Sequence, residues 1–311
     1  MKVRIDIAND IVEQLSEQLT AYRAPEVLKI DPSVGQGNIY IKDFPNTLAF
    51  YHLFFSLKNK QELTCLNAAT SDYFLLKINL SERAIEKEVN GQAIEVQKVL
   101  PSGIVYYPPN TKVTTNSPAN SAFDVVLIKF HKRLLSTYFD HGEHTFLNIK
   151  DTTIYEALDF KSEELLRKTT SSTNKMKSHA HLIEFLAIFF DKLRRRVTDL
   201  KYINLHPEDN KQLFLAASQL RNPIATKVPT IEDLSTTANM GKTKFKKSFK
   251  EVFGSAPKQY HQKIKMEYAM AELQKKQKTS TEIAYELGYS HPSKFTRAFK
   301  KYFGTPPSKV V

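Results

Sequence analysis

The sequence predicts an α+β protein, with a strand-rich amino-terminal part followed by an all-helical carboxyl-terminal part. Residues 27–130 contain short runs of β-branched and aromatic residues, which Pro, Gly, Asn and Ser turn signals separate. From residue 208 onward, apolar residues recur at helical spacing. One short pattern also occurs twice between residues 231 and 307. At 311 residues the chain is long enough to form two domains.

The strand-rich part has the frequent turns of a closed or stacked β-structure. The runs that predict strands are residues 38–41, 48–57, 73–80, 93–99, 104–107 and 123–130. Asn90-Gly91 favours a tight hairpin between two strands. Short strands at this density are typical of a β-barrel or a β-sandwich. Residues 5–22 precede them and have the apolar spacing of one helix.

Helical spacing returns after the strands, at residues 131–139 and 152–168. A polar stretch at 169–177 then precedes a longer predicted helix at 178–197, whose last turn contains Arg194, Arg195 and Arg196. An apolar stripe on this helix consists of Leu182, Phe185, Leu186, Phe189 and Leu193. The simplest interpretation of the stripe is packing against its own domain.

The carboxyl-terminal part contains a duplicated pattern with a constant offset, since 295 − 245 and 307 − 257 both equal 50. The first copy consists of Phe245, Lys247, Phe249, Lys250, Phe253, Gly254 and Pro257, and the second of Phe295, Arg297, Phe299, Lys300, Phe303, Gly304 and Pro307. Six of these seven aligned positions are identical, and the seventh exchanges Lys for Arg. A repeat of fixed period indicates one supersecondary unit that is used twice.

Each copy has the pattern of a helix-turn-helix unit. In the first copy Thr230 can cap a short helix, Asn239 and Gly241 interrupt it, and a second helix follows. In the second copy Gly288 marks the turn, and Pro292 suits the first position of the next helix. A helix at about 257–275 would connect the two units and span roughly 28 Å at about 1.5 Å per residue.

The second copy resembles the signature of the AraC family of bacterial transcription regulators. The residues that carry this resemblance are Ile283, Ala284, Leu287, Gly288 and Tyr289, followed by Phe295, Arg297, Phe299, Lys300, Phe303, Gly304 and Pro307. The resemblance implies an AraC-type DNA-binding domain at 208–311, with helix-turn-helix units at about 230–254 and 280–304. It also implies that residues 1–198 form a cupin-like β-barrel with flanking helices, followed by a linker at 199–207.

Membership of this family would imply several partners. The chain would bind double-stranded DNA sequence-specifically, act on RNA polymerase and respond to a small-molecule effector bound in the amino-terminal barrel. It would also form a homodimer, and the helix at 178–197 would then provide a dimer contact as an alternative to packing on its own barrel. The resemblance implies no cofactor.

The resemblance assigns roles to residues on the outer faces of the two recognition helices. The positions expected to reach base edges are Thr243, Lys246, Lys247, Ser293, Thr296 and Arg297. Arg297 is the best candidate for a bidentate guanine contact, because its planar fork matches O6 and N7. The lysines expected to neutralise the DNA backbone are Lys242, Lys244, Lys250, Lys294, Lys300 and Lys301.

Basic charge is concentrated in the carboxyl-terminal part. Residues 206–311 contain 19 Lys and Arg and 9 Asp and Glu, a net charge of 19 − 9 = +10, against +12 for the whole chain. Such a distribution favours a polyphosphate partner, although a solvated lysine-rich surface would give the same composition. The single cysteine, Cys65, excludes an internal disulfide and a Cys-based zinc finger, and it is typical of a reducing cytoplasm.

Neither a signal peptide nor a membrane segment is expected. The longest tight apolar run, residues 185–190, is far shorter than the about 20 residues that a spanning helix needs. We therefore expect a cytoplasmic protein without a membrane partner.

Two other functions stay open from the sequence: a sequence-neutral DNA-coating protein, and an enzyme whose barrel carries an attached DNA-binding domain. The histidines His52, His131, His179 and His181, and the pair His141 and His144, do not form a spaced metal-ligand set. No nucleophile–base pair or phosphate-binding loop is visible either. We predict no catalytic residue and no metal site.

Overall fold

The computed structural model describes residues 2–81, 85–89, 92–96, 103–139, 154–156, 158–198, 207–220, 222–224 and 228–310. The chain divides into two compact units, Met1–Lys201 and Tyr202–Val311. The first unit is mixed and the second is helical, so the predicted α+β class is confirmed. The predicted linker at 199–207 lies almost wholly outside the described residues.

The first unit consists mainly of strands, with helices near its two ends. Its described elements are, in chain order, β1 (Lys2–Asp6), α1 (Ile11–Gln18), β2 (Ala21–Ala24), β3 (Val27–Ile30), β4 (Gly35–Phe44), β5 (Leu48–Leu57), β6 (Gln61–Asn67), β7 (Tyr73–Asn79), β8 (Ile85–Val89), β9 (Gln92–Val96), β10 (Ile104–Tyr107), β11 (Thr111–Ser117), β12 (Ala122–His131), α2 (Lys132–Tyr138), β13 (Ile154–Glu156), α3 (Phe160–Ser171) and α4 (Lys175–Thr198).

The strands of the first unit form two sheets. The smaller sheet has the strand order β1-β6-β11-β8-β9, and the larger has the order β13-β10-β7-β12-β5-β4-β3-β2. The two sheets face each other, because Lys77 of β7 donates to the hydroxyl of Thr115 on β11, with an Nζ–Oγ1 distance of 2.8 Å. The predicted strand-rich domain is therefore confirmed, whereas its cupin-like character stays a prediction from the family resemblance.

Helices α3 and α4 cover part of the other face of the larger sheet. The stripe on α4 is buried against strand residues such as Phe50, Ile78 and Tyr106 in one hydrophobic core. All five stripe residues, Leu182, Phe185, Leu186, Phe189 and Leu193, are at most 3% exposed. The predicted packing of this helix on its own domain is confirmed.

The sequence predicted some amino-terminal boundaries wrongly. Residues 5–22 do not form one helix, because α1 covers only Ile11–Gln18 and the strands β1 and β2 flank it. Residues 152–168 likewise begin with β13, which pairs with β10, before α3 starts at Phe160. The pairing of β1 with β6 is parallel and joins residues about sixty positions apart, such as Val3 with Leu63, so helical periodicity could not reveal it.

The hairpin prediction is confirmed as far as the structure describes it. Strands β8 and β9 pair antiparallel, with Val89 opposite Gln92. The two turn residues themselves, Asn90 and Gly91, lie outside the described residues.

The second unit is helical throughout its described part. Its elements are α5 (Pro207–Ser218), α6 (Ile231–Thr237), α7 (Lys242–Phe253), α8 (Pro257–Lys275), α9 (Ser280–Glu286), α10 (Pro292–Phe303) and a short 3-10 turn at Pro307–Lys309. The helix α8 has the predicted bounds of the connecting helix. Phe245, Phe249, Phe295 and Phe299 are fully buried, so the duplicated phenylalanines form core, as their i, i+4 spacing predicts.

Thr230 and Thr279 cap the first helix of each helix-turn-helix unit in the same way. Each hydroxyl accepts from the backbone N–H three residues later, at 3.2 Å, and the acidic residue there accepts from the cap's own N–H. We expect Thr230→Ala and Thr279→Ala each to lower the free energy of unfolding by about 1 kcal/mol, measured by denaturant unfolding. The matched control is Thr236→Ala, at an exposed site inside α6, and a loss there as large as at the caps would contradict the prediction.

Lys77 is wholly buried between the two sheets. Burial is the main influence on its side chain and lowers the pKa of its ammonium group. The pKa of Lys77 is lower in the folded than in the unfolded chain. At pH values between these two pKa values, the unfolded chain therefore binds more protons than the folded chain. We expect the free energy of unfolding to rise with pH in that window, up to about pH 10, by at most about 1.4 kcal/mol per unit. Lys77→Met should remove this rise in urea titrations; an unchanged slope would contradict the assignment.

Candidate nucleic-acid interface

The two helix-turn-helix units, α6–α7 and α9–α10, repeat the same backbone geometry. Their turns contain Asn239 with φ of 50° and Gly288 with φ of 78°, so both positions adopt the left-handed conformation that Asn and Gly tolerate. The recognition helices α7 and α10 both end at a left-handed glycine, Gly254 and Gly304. The sequence repeat therefore corresponds to a structural repeat.

Aromatic packing fixes the inner face of each recognition helix. The rings of Phe245 and Phe249 lie 5.4 Å apart, and those of Phe295 and Phe299 lie 5.6 Å apart. Because residues at i and i+4 occupy this buried face, the residues between them turn outward. The packing thus determines which side chains each recognition helix can offer to a ligand.

The predicted base-reading residues lie together on these outer faces. Thr243, Lys246 and Lys247 are exposed on α7, and Ser293 and Arg297 are exposed on α10. The remaining predicted reader, Thr296, is half-buried beside Arg297. No described residue forms an ion pair with the guanidinium of Arg297, which leaves its fork available for a ligand.

The lysines predicted to bind the DNA backbone differ in the contacts that their ammonium groups form. Lys242 forms an ion pair with Glu232 at 3.0 Å, and Lys244 forms one with Asp209 of α5 at 2.7 Å. Lys294 donates to the hydroxyl of Ser290 at 3.3 Å. Lys242 and Lys244 would have to exchange these carboxylates for phosphates on binding DNA. The other three lysines of the set, Lys250, Lys300 and Lys301, are exposed and form no ion pair with any described residue.

The recognition helices are strongly basic. Helix α10 carries Lys294, Arg297, Lys300 and Lys301 and no acidic residue, and α7 carries a single acid, Glu251. Burial raises the pKa of Glu251, and nearby Lys247 opposes this effect. The positive charge is therefore not cancelled within either helix, which favours an anionic surface as partner.

The connecting helix α8 contacts both helix-turn-helix units, and the polar residues by which it contacts the second one were not predicted. Tyr260 of α8 packs on Phe249 of the first helix-turn-helix unit, with ring centroids 5.4 Å apart. Hydrogen bonds join α8 to the second helix-turn-helix unit, from Gln262 to the hydroxyl of Tyr289 at 2.7 Å and from Lys265 to the carbonyl of Leu287 at 2.8 Å. Burial lowers the pKa of Lys265, consistent with its position between the helices.

Three of the candidate histidines have structural partners, whereas the buried Nδ1 atom of His181 has no hydrogen-bond partner among the described residues. His52 lies 2.7 Å from a carboxylate oxygen of Asp124 and 3.1 Å from the hydroxyl of Thr170. His131 caps α2, and His179 stacks on Phe44. His141 and His144 lie outside the described residues. Within the described part of the chain, no three His, Cys, Asp or Glu side chains are grouped to hold a metal ion, and no helix is long and apolar enough to cross a bilayer.

Comparison with known proteins agrees with this geometry. A family model described as a helix-turn-helix domain matches residues 234–311. A probable transcription factor, PqrA of Proteus vulgaris, is 33% identical over 92 residues, which are 30% of this chain and 73% of that protein. A putative AraC-like transcription regulator of Streptomyces lividans is 32% identical over 78 residues, 25% of this chain and 26% of that protein.

A longer regulator matches by sequence over less than half of its length. The virulence regulon transcriptional activator VirF of Yersinia enterocolitica is 28% identical over 111 residues, which are 36% of this chain and 39% of VirF. Among solved structures, ToxT of Vibrio cholerae aligns over 84% of this chain and 93% of its own, at 15% identity and a TM-score of 0.35. The family model matches the part of the chain that carries the two helix-turn-helix units.

Proposed function

Because the chain belongs to the AraC family of transcription regulators, and is a DNA-binding regulator rather than an enzyme, we propose that α7 and α10 bind two consecutive major-groove segments of one DNA site. The observation that carries the proposal is the pair of structurally equivalent recognition helices, each with a buried phenylalanine face and an exposed basic face. Thr243, Lys246, Lys247, Ser293, Thr296 and Arg297 would contact base edges. Lys242, Lys244, Lys250, Lys294, Lys300 and Lys301 would contact phosphates.

The length of α8 supports reading by both units at once. Its 19 residues span roughly 28 Å, and major-groove faces on one side of DNA recur about every 34 Å. A continuous helix keeps the two recognition helices at a fixed separation, so the spacing of the two DNA segments becomes part of the recognised sequence.

The proposal extends to the amino-terminal unit, residues 1–198, as the sensor of a small-molecule effector, with residues 208–311 as the DNA-binding domain. The two facing sheets, with the polar pair of Lys77 and Thr115 buried between them, form the strand-rich unit that the family resemblance associates with effector binding. We further propose that the protein acts in the cytoplasm as a homodimer that contacts RNA polymerase. Since the stripe of α4 packs on its own domain, the dimer contact would use other residues, such as exposed Tyr138 beside the groove between α2 and α4.

The proposal is tested by selecting bound fragments from the organism's own genome with the full chain, with and without candidate effectors. Affinities for the selected duplex and a scrambled duplex are then compared by fluorescence anisotropy at fixed salt. We expect the selected duplex to bind at least about 10³-fold more tightly. A ratio near one would instead identify a sequence-neutral DNA-binding protein.

Reading by two units is tested separately by changing the spacing within the selected site. Inserting about 5 base pairs, half a helical turn, between the two contacted segments places them on opposite sides of the duplex. We expect specific binding to be lost while non-specific binding remains. Unchanged affinity would show that one unit alone reads the site.

A further inference from the structure

No helix of the described residues covers one end of the larger sheet's outer face. Along β5, Leu48 and Phe50 are buried in the helix-covered core, and His52 contacts Thr170 of α3. Two residues further, Phe54 projects from the same face and is 52% exposed. The helices therefore cover this face only as far as His52.

The uncovered end contains a pocket of about 610 Å³, within the range of about 300–1,000 Å³ that small-molecule sites occupy. We call it the outer-sheet pocket. The polar side chains that line it are those of Lys29, Gln36, Asn38, Ser56, Lys58 and Asn120. It is distinct from the interior between the sheets, because Asn38 and Phe54 stand opposite each other on the outer face of β4 and β5.

Two aromatic residues lie on the same sheet face as the polar residues that line the pocket. Phe54 is directly opposite Asn38 in the sheet register, and Tyr22 is directly opposite Lys29, which in turn faces Asn38. Residues opposite each other in antiparallel strands project from the same face. Tyr22, 62% exposed, and Phe54 are thus aligned with the pocket's polar side chains and offer flat apolar surfaces beside them.

The charge of the pocket is positive. Neither Lys29 nor Lys58 forms an ion pair with a described residue. Among the described residues, no acidic residue lines the pocket. Asp31 lies between two of the lining residues in the chain. Hydrogen bonds, first of all from the side chain of Ser33 and then from the hydroxyl of Tyr22, lower the pKa of Asp31 to about 2, and the charge of Lys58 lowers it too. Two ammonium groups against one carboxylate leave a net positive pocket that also holds amide and hydroxyl groups.

We propose that the outer-sheet pocket binds an anionic sugar, as a phosphate ester or a carboxylate. The two ammonium groups would bind the anion, the amides would bond the sugar hydroxyls, and the ring of Phe54, opposite Asn38 in the sheet, would pack on the apolar face of the sugar ring.

The test is isothermal titration of the full chain with four probes: glucose 6-phosphate, glucuronate, glucose and inorganic phosphate. We expect saturable 1:1 binding of an anionic sugar with a Kd below about 1 mM. Glucose lacks the anion and phosphate lacks the ring, so each should bind at least tenfold more weakly. The two anionic sugars distinguish a phosphate ester from a carboxylate.

Variants locate the site. Lys29→Gln combined with Lys58→Gln, and separately Phe54→Ser, should each weaken binding at least tenfold while the melting temperature stays within a few degrees. The matched control is Lys175→Gln with Lys177→Gln, which removes two exposed charges from α4. No saturation with any probe, equal binding by the pocket variants, or displacement of the sugar by duplex DNA would overturn the proposal. None of these results would contradict the proposed sequence-specific DNA binding by residues 208–311, which is tested separately.

Discussion

Arg297→Ala is expected to weaken binding to the cognate DNA site by about 1–3 kcal/mol, roughly 5- to 150-fold, and to relax the preference at one base pair. Arg297 is exposed on α10, a helix without acidic residues, and no described residue pairs with its guanidinium. A guanidinium that is free before binding loses no internal ion pair when it contacts guanine. Anisotropy titrations against the cognate duplex and its single-base variants measure both effects.

Two matched variants separate base reading from phosphate binding. Lys301→Ala removes an exposed positive charge from the same helix and should weaken binding to all sequences about equally, with a salt dependence reduced by about one unit of slope. Lys247→Ala tests the equivalent position of the first unit, 50 residues earlier. If Arg297→Ala lowered affinity equally on every duplex, Arg297 would be a phosphate contact, and the specificity of α10 would have to come from Ser293 and Thr296.

The carboxyl-terminal fold could be predicted closely because its determinants are local. Thr230, Asn239 and Gly254 each specify a cap or a turn through their own chemistry, and the same signals recur 49 or 50 residues later. A short stretch of sequence therefore predicts both the helix ends and the buried face. Repetition then distinguishes this pattern from chance.

The amino-terminal unit was harder to predict, because its pairings are not local. Strands β6 and β11 contain few apolar residues, so their hydrophobic pattern is weak, yet they pair with each other along their whole length. Strand β1 pairs with β6 across α1 and four intervening strands. Such strands depend on partners that only the folded chain provides, whereas the apolar run of β5 is recognisable by itself.

In the candidate interface, too, local features could be predicted from the sequence and contacts between separate helices could not. The outward positions of the readers follow from phenylalanine spacing, but the ion pairs of Lys242 with Glu232 and of Lys244 with Asp209 do not. Nor does any periodicity indicate that Gln262 bonds Tyr289, because a polar residue on α8 has the same pattern whether or not a partner faces it. Contacts between polar side chains of separate helices require the tertiary structure.

Phe249→Ala and Phe299→Ala are each expected to lower the free energy of unfolding of the second unit by about 3–5 kcal/mol, because each removes a fully buried ring and leaves a cavity. The two variants should differ in which helices they destabilise. Phe249 contacts Tyr260 of α8, so its loss loosens both α7 and the start of α8. Phe299 packs on Phe295 and Phe303 within the second helix-turn-helix unit, and hydrogen bonds join that helix-turn-helix unit to α8.

Hydrogen exchange followed by mass spectrometry resolves this difference. Phe249→Ala should remove protection from α7 and the first turns of α8, and Phe299→Ala from α9 and α10 only. Tyr285→Ala, at a site 57% exposed on α9, is the surface control and should change neither pattern. If Phe299→Ala also exposed α7, the two helix-turn-helix units would unfold as one cooperative body, and the polar contacts of Gln262 and Lys265 would couple them as firmly as the aromatic contact does. Retained protection in α8 after Phe249→Ala would instead show a connecting helix that is stable without its aromatic contact to α7.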